Sequence, residues 1–343
     1  MKVTMKVWTK LSDSIVAKLN SVAEEPGMDM LKLIHSVFED WPMTIFRGGK
    51  CIAASIFAEP IEKFVVDLGD GSNGKTLLQR IAEVAFGDYA EQIKETMMTK
   101  DPPPPGSACP DLLNMRGVRY LCTPEVETTQ AIKSSWIKKL PDAVTKWGAR
   151  DLYSSMTIIF RLWVTFFISA NSKLKFTVVD GGVERRCLAV PYELKFVNKV
   201  TEAHHRPIRE ELKEDEWLMP RVPGFWLWIR CIHEAFFLGA MPTKINHVPH
   251  KVLEATVEFL SAECAAALRD WLDANMVAST ESKDAITKTA LLRRLKNVTP
   301  FEDLKPKEIE DTLTRTCKVV TVRGVRERIK YELNGGELVY IKG

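Results

Sequence analysis

Gly69, Asp70, Gly71, Ser72, Asn73, Gly74, Lys75 and Thr76 follow the order G-x-x-x-x-G-K-[ST], a spacing suited to a polyanion. Glycines in such a run let the backbone wrap closely, so that its N–H groups face phosphate oxygens. A helix opening at the lysine directs its positive end at the same anion. Lys75 would neutralise charge on β- and γ-phosphates, and Thr76 would offer its hydroxyl to Mg²⁺. With the next residue, Leu77, these positions make up the candidate nucleotide contact. An incidental Gly-rich turn is the competing reading. Context decides between them, because a phosphate loop needs a strand before it and a helix after it.

Both are predicted here. Residues 63–68 form a short apolar run, and Leu77, Leu78, Ile81, Ala82 and Ala85 follow at helical spacing until Gly87-Asp88. Two more apolar runs, 118–122 and 163–169, flank a helix-like stretch at 128–140, and 187–191 reads as a further buried strand. Strands separated by helical patterns favour an α/β fold with a parallel sheet covered by helices. Ligands then gather at the carboxyl ends of the strands. Run 118–122 leads into Thr123, Pro124 and Glu125, with Glu127 close behind. Glu125 either polarises a water and helps hold Mg²⁺, or caps a following helix that Pro124 and Thr128 could also start. Asn171, after run 163–169, offers an amide at the same edge or is a buried turn residue.

The chain has 343 residues, 45% of them hydrophobic, enough to bury a sizeable core and to exclude a disordered protein. Four regions are predicted: helical residues 1–55, the phosphate-loop core at 56–199, a helical region at 200–279, and a distinct terminal domain at 280–343. Asp101-Pro-Pro-Pro-Pro-Gly106 is an extended loop, since proline fixes φ and removes donors. No apolar run approaches the ~18 residues of a membrane span. Seven cysteines, none in a Cys-x-x-Cys pair, fit a reducing compartment, cytoplasm or nucleus. Forty-eight basic against forty-five acidic residues leave a charge of +3, so any nucleic-acid surface must be local.

Taken together, these residues resemble the superfamily 3 helicases of the AAA+ ATPases, most closely the C-terminal helicase region of viral and phage primase–helicases, including the poxvirus type. The resemblance spans about residues 57–196. Its parts occur in family order: 69–76 as Walker A, Arg116-Gly-Val-Arg119 leading into Glu125 as Walker B, and Ile168-Ser-Ala-Asn171 as the sensor strand. Ile137-Lys-Lys-Leu140 and Arg150-Asp-Leu-Tyr153 stand between Walker B and the sensor. Glu184-Arg-Arg-Cys-Leu-Ala-Val-Pro191 matches the paired arginines before an apolar strand. The resemblance implies ATP and Mg²⁺ as cofactors, with Lys75 and Thr76 on phosphate and metal. It implies Glu125 as the water-activating and second metal-side residue, and Asn171 as the γ-phosphate sensor. Arg185 or Arg186 would be an arginine finger reaching a neighbouring subunit's nucleotide. Two departures stand out. Pro141-Asp142-Ala-Val144 replaces the usual Gly-Gly-Asp, and Pro124 precedes Glu125 where an acidic or small polar residue is common.

The family's activity would be ATP-driven translocation on single-stranded DNA and unwinding of forked duplex by a homohexameric ring, at a viral replication site in a host cell. Only about 68 residues precede the loop, so either the chain is a fragment of a longer primase–helicase or it works with a separate primase or polymerase. Lys138, Lys139, Lys146, Trp147 and Arg150 fall where the family faces DNA. The cations would follow the phosphate backbone, and Trp147 either stacks on a base or belongs to the core. The last sixty residues look like a winged helix, with helices at 286–295 and 306–314. Its wing carries Lys318, Arg323, Arg326, Arg328 and Lys330, a footprint for duplex DNA unless the domain binds protein instead. Two other readings remain: a P-loop kinase for a small substrate, and a ring that binds nucleotide and DNA without hydrolysis.

Overall fold

Phe64-Val-Val is flanked by polar residues and followed by a Gly-rich turn, a sequence that pleats and buries on both faces. In the computed structural model it is an interior strand of the main sheet, β1 (Phe64–Leu68), with its first four residues buried. The structure describes residues 13–342 except 26, 60, 127–130, 172, 173, 175, 178, 239–247, 282–284, 298–300, 302–306, 308, 311, 314–316, 323–325 and 334–336. Glu127, Thr128 and Arg323 therefore lie outside the described residues.

Before β1 come α1 (Asp13–Glu24), α2 (Asp29–Phe38), α3 (Trp41–Ile45) and α4 (Cys51–Ile56); α5 (Lys75–Phe86) follows the loop. The strands continue as β2 (Ala90–Gln92), β3 (Ser107–Ala108), β4 (Tyr120–Val126), β5 (Lys146–Arg150), β6 (Ile158–Arg161), β7 (Thr165–Ala170), β8 (Cys187–Pro191), β9 (Lys195–Val197) and β10 (His205–Pro207). Five of them make one parallel sheet in the order β2-β4-β7-β1-β8. The predicted strands at 63–68, 118–122, 163–169 and 187–191 all belong to it. β3, β5 and β6 form a separate small sheet, and β9 pairs with β10.

The chain divides into two units, the larger comprising residues up to 174 with 186–256, the smaller 175–185 with 257–343. In the larger, residues before β1 and after 200 share one core with the sheet: Leu31 and Ile34 of α2 are fully buried in the same cluster as Val65, Phe167 and Trp228. In the smaller, helix His250–Asn275 supplies Leu268 and Leu272, and helix Lys288–Leu295 supplies Leu291 and Leu295, to a second core. An antiparallel sheet runs β11 (Val277–Ser279), β14 (Glu337–Lys342), β13 (Arg326–Leu333), β12 (Cys317–Val322). Of the predicted second helix at 306–314, residues 307, 309, 310, 312 and 313 are described, and all are helical.

Between α3 and α4 the backbone widens into a π-helical turn, Phe46–Lys50, a form common where a side chain must be re-aimed. Gly48 is required there, because a Cβ would lie 2.3 Å from Ile34 Cγ2. The turn drives Arg47 beneath the sheet, where it donates to both carboxylate oxygens of Asp67 on β1, at 2.7 and 2.6 Å. Neither side chain touches solvent. Removing one partner strands a buried charge, which costs about 3–5 kcal/mol, whereas apolar replacement of both is far milder. Arg47→Met is thus expected to lower the urea-unfolding free energy by that amount, and Arg47→Met with Asp67→Leu to recover most of it. Equal losses in the two variants would contradict the pairing.

Lys50, in the same turn, has its ammonium 5.0 Å from the centre of the Phe236 ring. Burial pushes its pKa down to about 8 from the ordinary 10.5. The unfolded chain therefore holds more protons between pH 8 and 10.5, so this group's contribution to stability rises with pH across that window. The span corresponds to about 3 kcal/mol. Lys50→Met is expected to be more stable than wild type below pH 8, and its advantage should shrink by pH 10.5. A stability difference flat in pH would contradict this.

Candidate functional site

Lys75 begins α5 behind Gly74, whose φ of +91° belongs to glycine. A Cβ on Gly69 would meet the Tyr192 carbonyl at 2.8 Å, and one on Gly74 would meet Val37 at 3.0 Å. Both glycines are thus demanded by close approach, as phosphate-loop spacing requires. The loop is tied down at both ends. Gly69 N donates to Ala170 O at 3.4 Å, and Phe196 N donates to Ser72 O at 2.7 Å. Gly69 and the exposed Asp70 form its root, while residues 71–77 line a cleft of about 700 Å³.

The strand order decides what meets Lys75. β7 lies between β1 and β4, so the carboxyl ends of all three strands converge at the loop. The Lys75 ammonium donates to Gly69 O and, at 3.4 Å, to Asn171 Oδ1. Glu125 Oε1 stands 3.7 Å away. Only 4% of Lys75 is exposed. Burial lowers its pKa, with Glu125 and Asp67 as the leading opposing carboxylates.

Glu125 lies within β4, further along the strand than its sequence pattern suggested. The helix that Glu125 could instead have capped would begin at Thr128, outside the described residues; the first described helix after it starts at Ser134. A register shift between Cys122 and Glu125 sets three residues of β4 against two of β7. Side chains satisfy the groups this frees. Ser169 N donates to Thr123 Oγ1 at 3.2 Å, and Gln79 Nε2 donates to Thr123 O and Ser169 Oγ, both at 2.8 Å. Pro124 fits because a bulge needs no ladder donor there. Gln79 thereby bolts α5 to both strands. Its position on an otherwise apolar helical stripe was the only trace of this in the sequence.

The donors present suit a metal–triphosphate. Glu125 Oε1 and Asn73 Nδ2 are buried without hydrogen-bond partners, and Thr76 is exposed on the same cleft. A hydroxyl and a carboxylate are the hard oxygen ligands Mg²⁺ takes alongside phosphate. Among the described residues, another group of potential ligands is Glu202, His204 and His205, within 4.8 Å of one another. It sits at the β9–β10 turn and does not line the cleft.

The other predicted residues are dispersed. Arg185 is exposed at the end of helix Gly181–Arg186, and Arg186 is half-buried directly before β8. Lys138 is half-buried, while Lys139 and Lys146 are exposed. Trp147 is 5% exposed and stacks on Trp136 with ring centres 5.5 Å apart, a position in the core. Arg150 donates to Gly106 O at 3.2 Å and Ser154 O at 2.9 Å, pinning the β5–β6 hairpin tip. That tip carries Leu152, Met156 and a wholly exposed Tyr153 at positive φ. Arg326 and Arg328 lie on β13 opposite Val322 and Val320.

No protein-family description matches the chain. It is similar to viral proteins, each named as a putative helicase. The one from Acanthamoeba polyphaga mimivirus is 26% identical over 205 residues, covering 58% of this chain and 21% of the relative. That from Frog virus 3 (isolate Goorha) is 26% identical, covering 52% and 18%. That from Invertebrate iridescent virus 6 is 25% identical, covering 43% and 15%. The chain thus spans about a fifth or less of the length of these curated relatives. Among solved structures, the apo C-terminal region of NrS-1 matches at a TM-score of 0.42 and 13% identity, over 89% of this chain and 77% of that one.

Proposed function

We propose that this chain is the motor of an ATP- and Mg²⁺-dependent DNA helicase of superfamily 3 type. The observation that carries the reading is the meeting of Lys75, Asn171 and Glu125 at one edge of a parallel sheet, over a phosphate-shaped loop. Similarity to viral proteins named as putative helicases supports it. Loop N–H groups and Lys75 hold the β- and γ-phosphates; Thr76 and Glu125 would hold Mg²⁺, which supplies charge neutralisation at the phosphoryl group. Glu125 presents its oxygen to the attacking water and takes its proton. Asn171, hydrogen-bonded to Lys75, reports the γ-phosphate to β7. Arg185 or Arg186 serves a neighbouring subunit's nucleotide in a hexameric AAA+ ring. Lys139, at the end of helix Ser134–Lys139, Lys146, at the start of the β5–β6 hairpin, and the winged-helix-like terminal domain with Arg326 and Arg328 take single-stranded and forked DNA. A primase or polymerase works beside it at a viral replication site.

Hydrolysis of ATP with and without single-stranded DNA, and strand displacement from a labelled fork, test this directly. A purified oligomer whose hydrolysis ignores DNA and which displaces no strand defeats it. Lys139→Ala combined with Lys146→Ala should reduce the salt slope of single-strand binding by about 0.7 per lost phosphate contact. An unchanged slope takes both lysines off the DNA path.

A further inference from the structure

β9 and β10 run parallel, so the chain between them crosses back, and it ends that crossing in a tight turn. His205 N donates to Glu202 O at 3.1 Å, which closes the turn. Within it Glu202, His204 and His205 each hold a potential ligand atom within 4.8 Å of the other two. Consecutive strand residues point to opposite faces. Here the turn breaks that alternation, and the two imidazoles meet with ring centres 4.5 Å apart, inclined at 65°. Glu202 Oε2 stands 3.4 Å from His204 Nδ1. The backbone carrying these side chains is pinned. Lys195 N donates to His204 O at 3.0 Å, and Arg206 Nη1 donates to Ala203 O at 2.8 Å and His205 O at 2.7 Å. Arg206 is anchored in turn by Glu39, just beyond α2. Thr201 Oγ1 lies 3.1 Å from His205 Nδ1 and orients that ring. Glu202 and His204 are exposed and His205 is half-buried, so an ion reaches the group directly from solvent.

From this we propose that the turn before β10 is a zinc site, with Glu202, His204 and His205 as its ligands. Two imidazoles and a carboxylate are the donor set of three-ligand Zn²⁺ sites, which leave a fourth position to water or another group. Imidazole nitrogen suits zinc, whereas Mg²⁺ and Ca²⁺ take oxygen ligands. The site is therefore chemically distinct from the oxygen donors at the phosphate loop, and it stands whether or not that loop binds nucleotide. Thr201 acts as the outer partner of His205, of the kind that fixes a ligating ring and its tautomer. Zinc here clamps the crossover between two strands that brace other parts of the fold: on β9, Phe196 N donates to Ser72 O, and on β10, Arg206 reaches Glu39. The competing reading is an exposed ion pair between Glu202 and His204, worth little on its own. That reading gives His205 and Thr201 no part in holding a metal.

The test is a titration of Zn²⁺ into the metal-free full chain, in excess Mg²⁺ and against a chromophoric chelator. Wild type should show a saturable site for one Zn²⁺ that Mg²⁺ does not displace, and its melting temperature should rise with Zn²⁺. Thr201→Val should weaken the site about 10-fold, as loss of an outer partner does. His204→Ala, His205→Ala and the isosteric Glu202→Gln should each weaken it further and abolish the zinc-dependent rise in melting temperature. His250→Ala, which removes a histidine paired with Glu254 on another element, should leave binding unchanged. Co²⁺ in place of zinc should give visible bands without the near-ultraviolet absorption of a thiolate ligand. Wild type with no saturable Zn²⁺ site overturns the assignment. So does zinc affinity that survives in Glu202→Gln or in His205→Ala, displacement by Mg²⁺, or a thiolate band with Co²⁺.

Discussion

Lys75→Ala is expected to lower the rate of ATP hydrolysis by about 10²–10³-fold and to weaken ATP binding in the same variant. The ammonium is nearly sealed in, so its charge acts on phosphate through low-dielectric surroundings, where electrostatic stabilisation is worth most. Burial already disfavours that charge in the free protein; a polyanion in the loop restores the balance and favours it. The variant should also leave Asn171 and Glu125 without their shared partner. Phosphate release under saturating ATP gives the rate, and titration of ATP gives the affinity. Hydrolysis within about threefold of wild type would remove Lys75 from the site and with it the assignment of the loop.

A second large effect should fall on chemistry and spare binding. Glu125→Gln keeps the volume and the strand but cannot take a proton. Loss of a general base typically costs about 10²–10⁴-fold. ATP affinity should stay close to wild type, because the loop and Lys75 remain. The variant would then hold unhydrolysed ATP, detectable as retained triphosphate after rapid gel filtration. If turnover persists at the wild-type rate, the water-positioning role belongs elsewhere. A parallel fall in affinity and rate would instead point to Glu125 acting through Lys75 or the metal.

The loop before Lys75 could be read in the sequence because its pattern is local: six consecutive residues and a lysine at fixed spacing, between a strand and a helix. Glu125 and Asn171 could be found as the ends of apolar runs, since the carboxyl ends of parallel strands share an edge. What those patterns left open is where packing puts each residue. Glu125 continues β4, and Trp147 enters the core against Trp136. Lys146-Trp-Gly-Ala-Arg150 alternates outward and inward, a strand signal that its cations obscured. Other features leave no periodic trace. Arg47 and Asp67 are twenty residues apart and meet only because a π-helical turn re-aims one of them. The far side of the cleft gathers α2 and residues 206–221, joined by nothing but the fold.

The register shift in β4 carries a consequence for parity. Along a strand, side chains alternate between faces, so an offset of one residue exchanges every face beyond it. With a regular ladder, the partner of Ser169 would be Pro124; the extra residue hands that position to Glu125. The acid therefore faces the loop lysine by virtue of a counting offset upstream. Thr123, Pro124 and Gln79 behave as one frame-setting unit, in which the residue without an N–H marks where the count slips. The placement of Glu125 at this edge is inherited from a misalignment that the surrounding side chains hold in place.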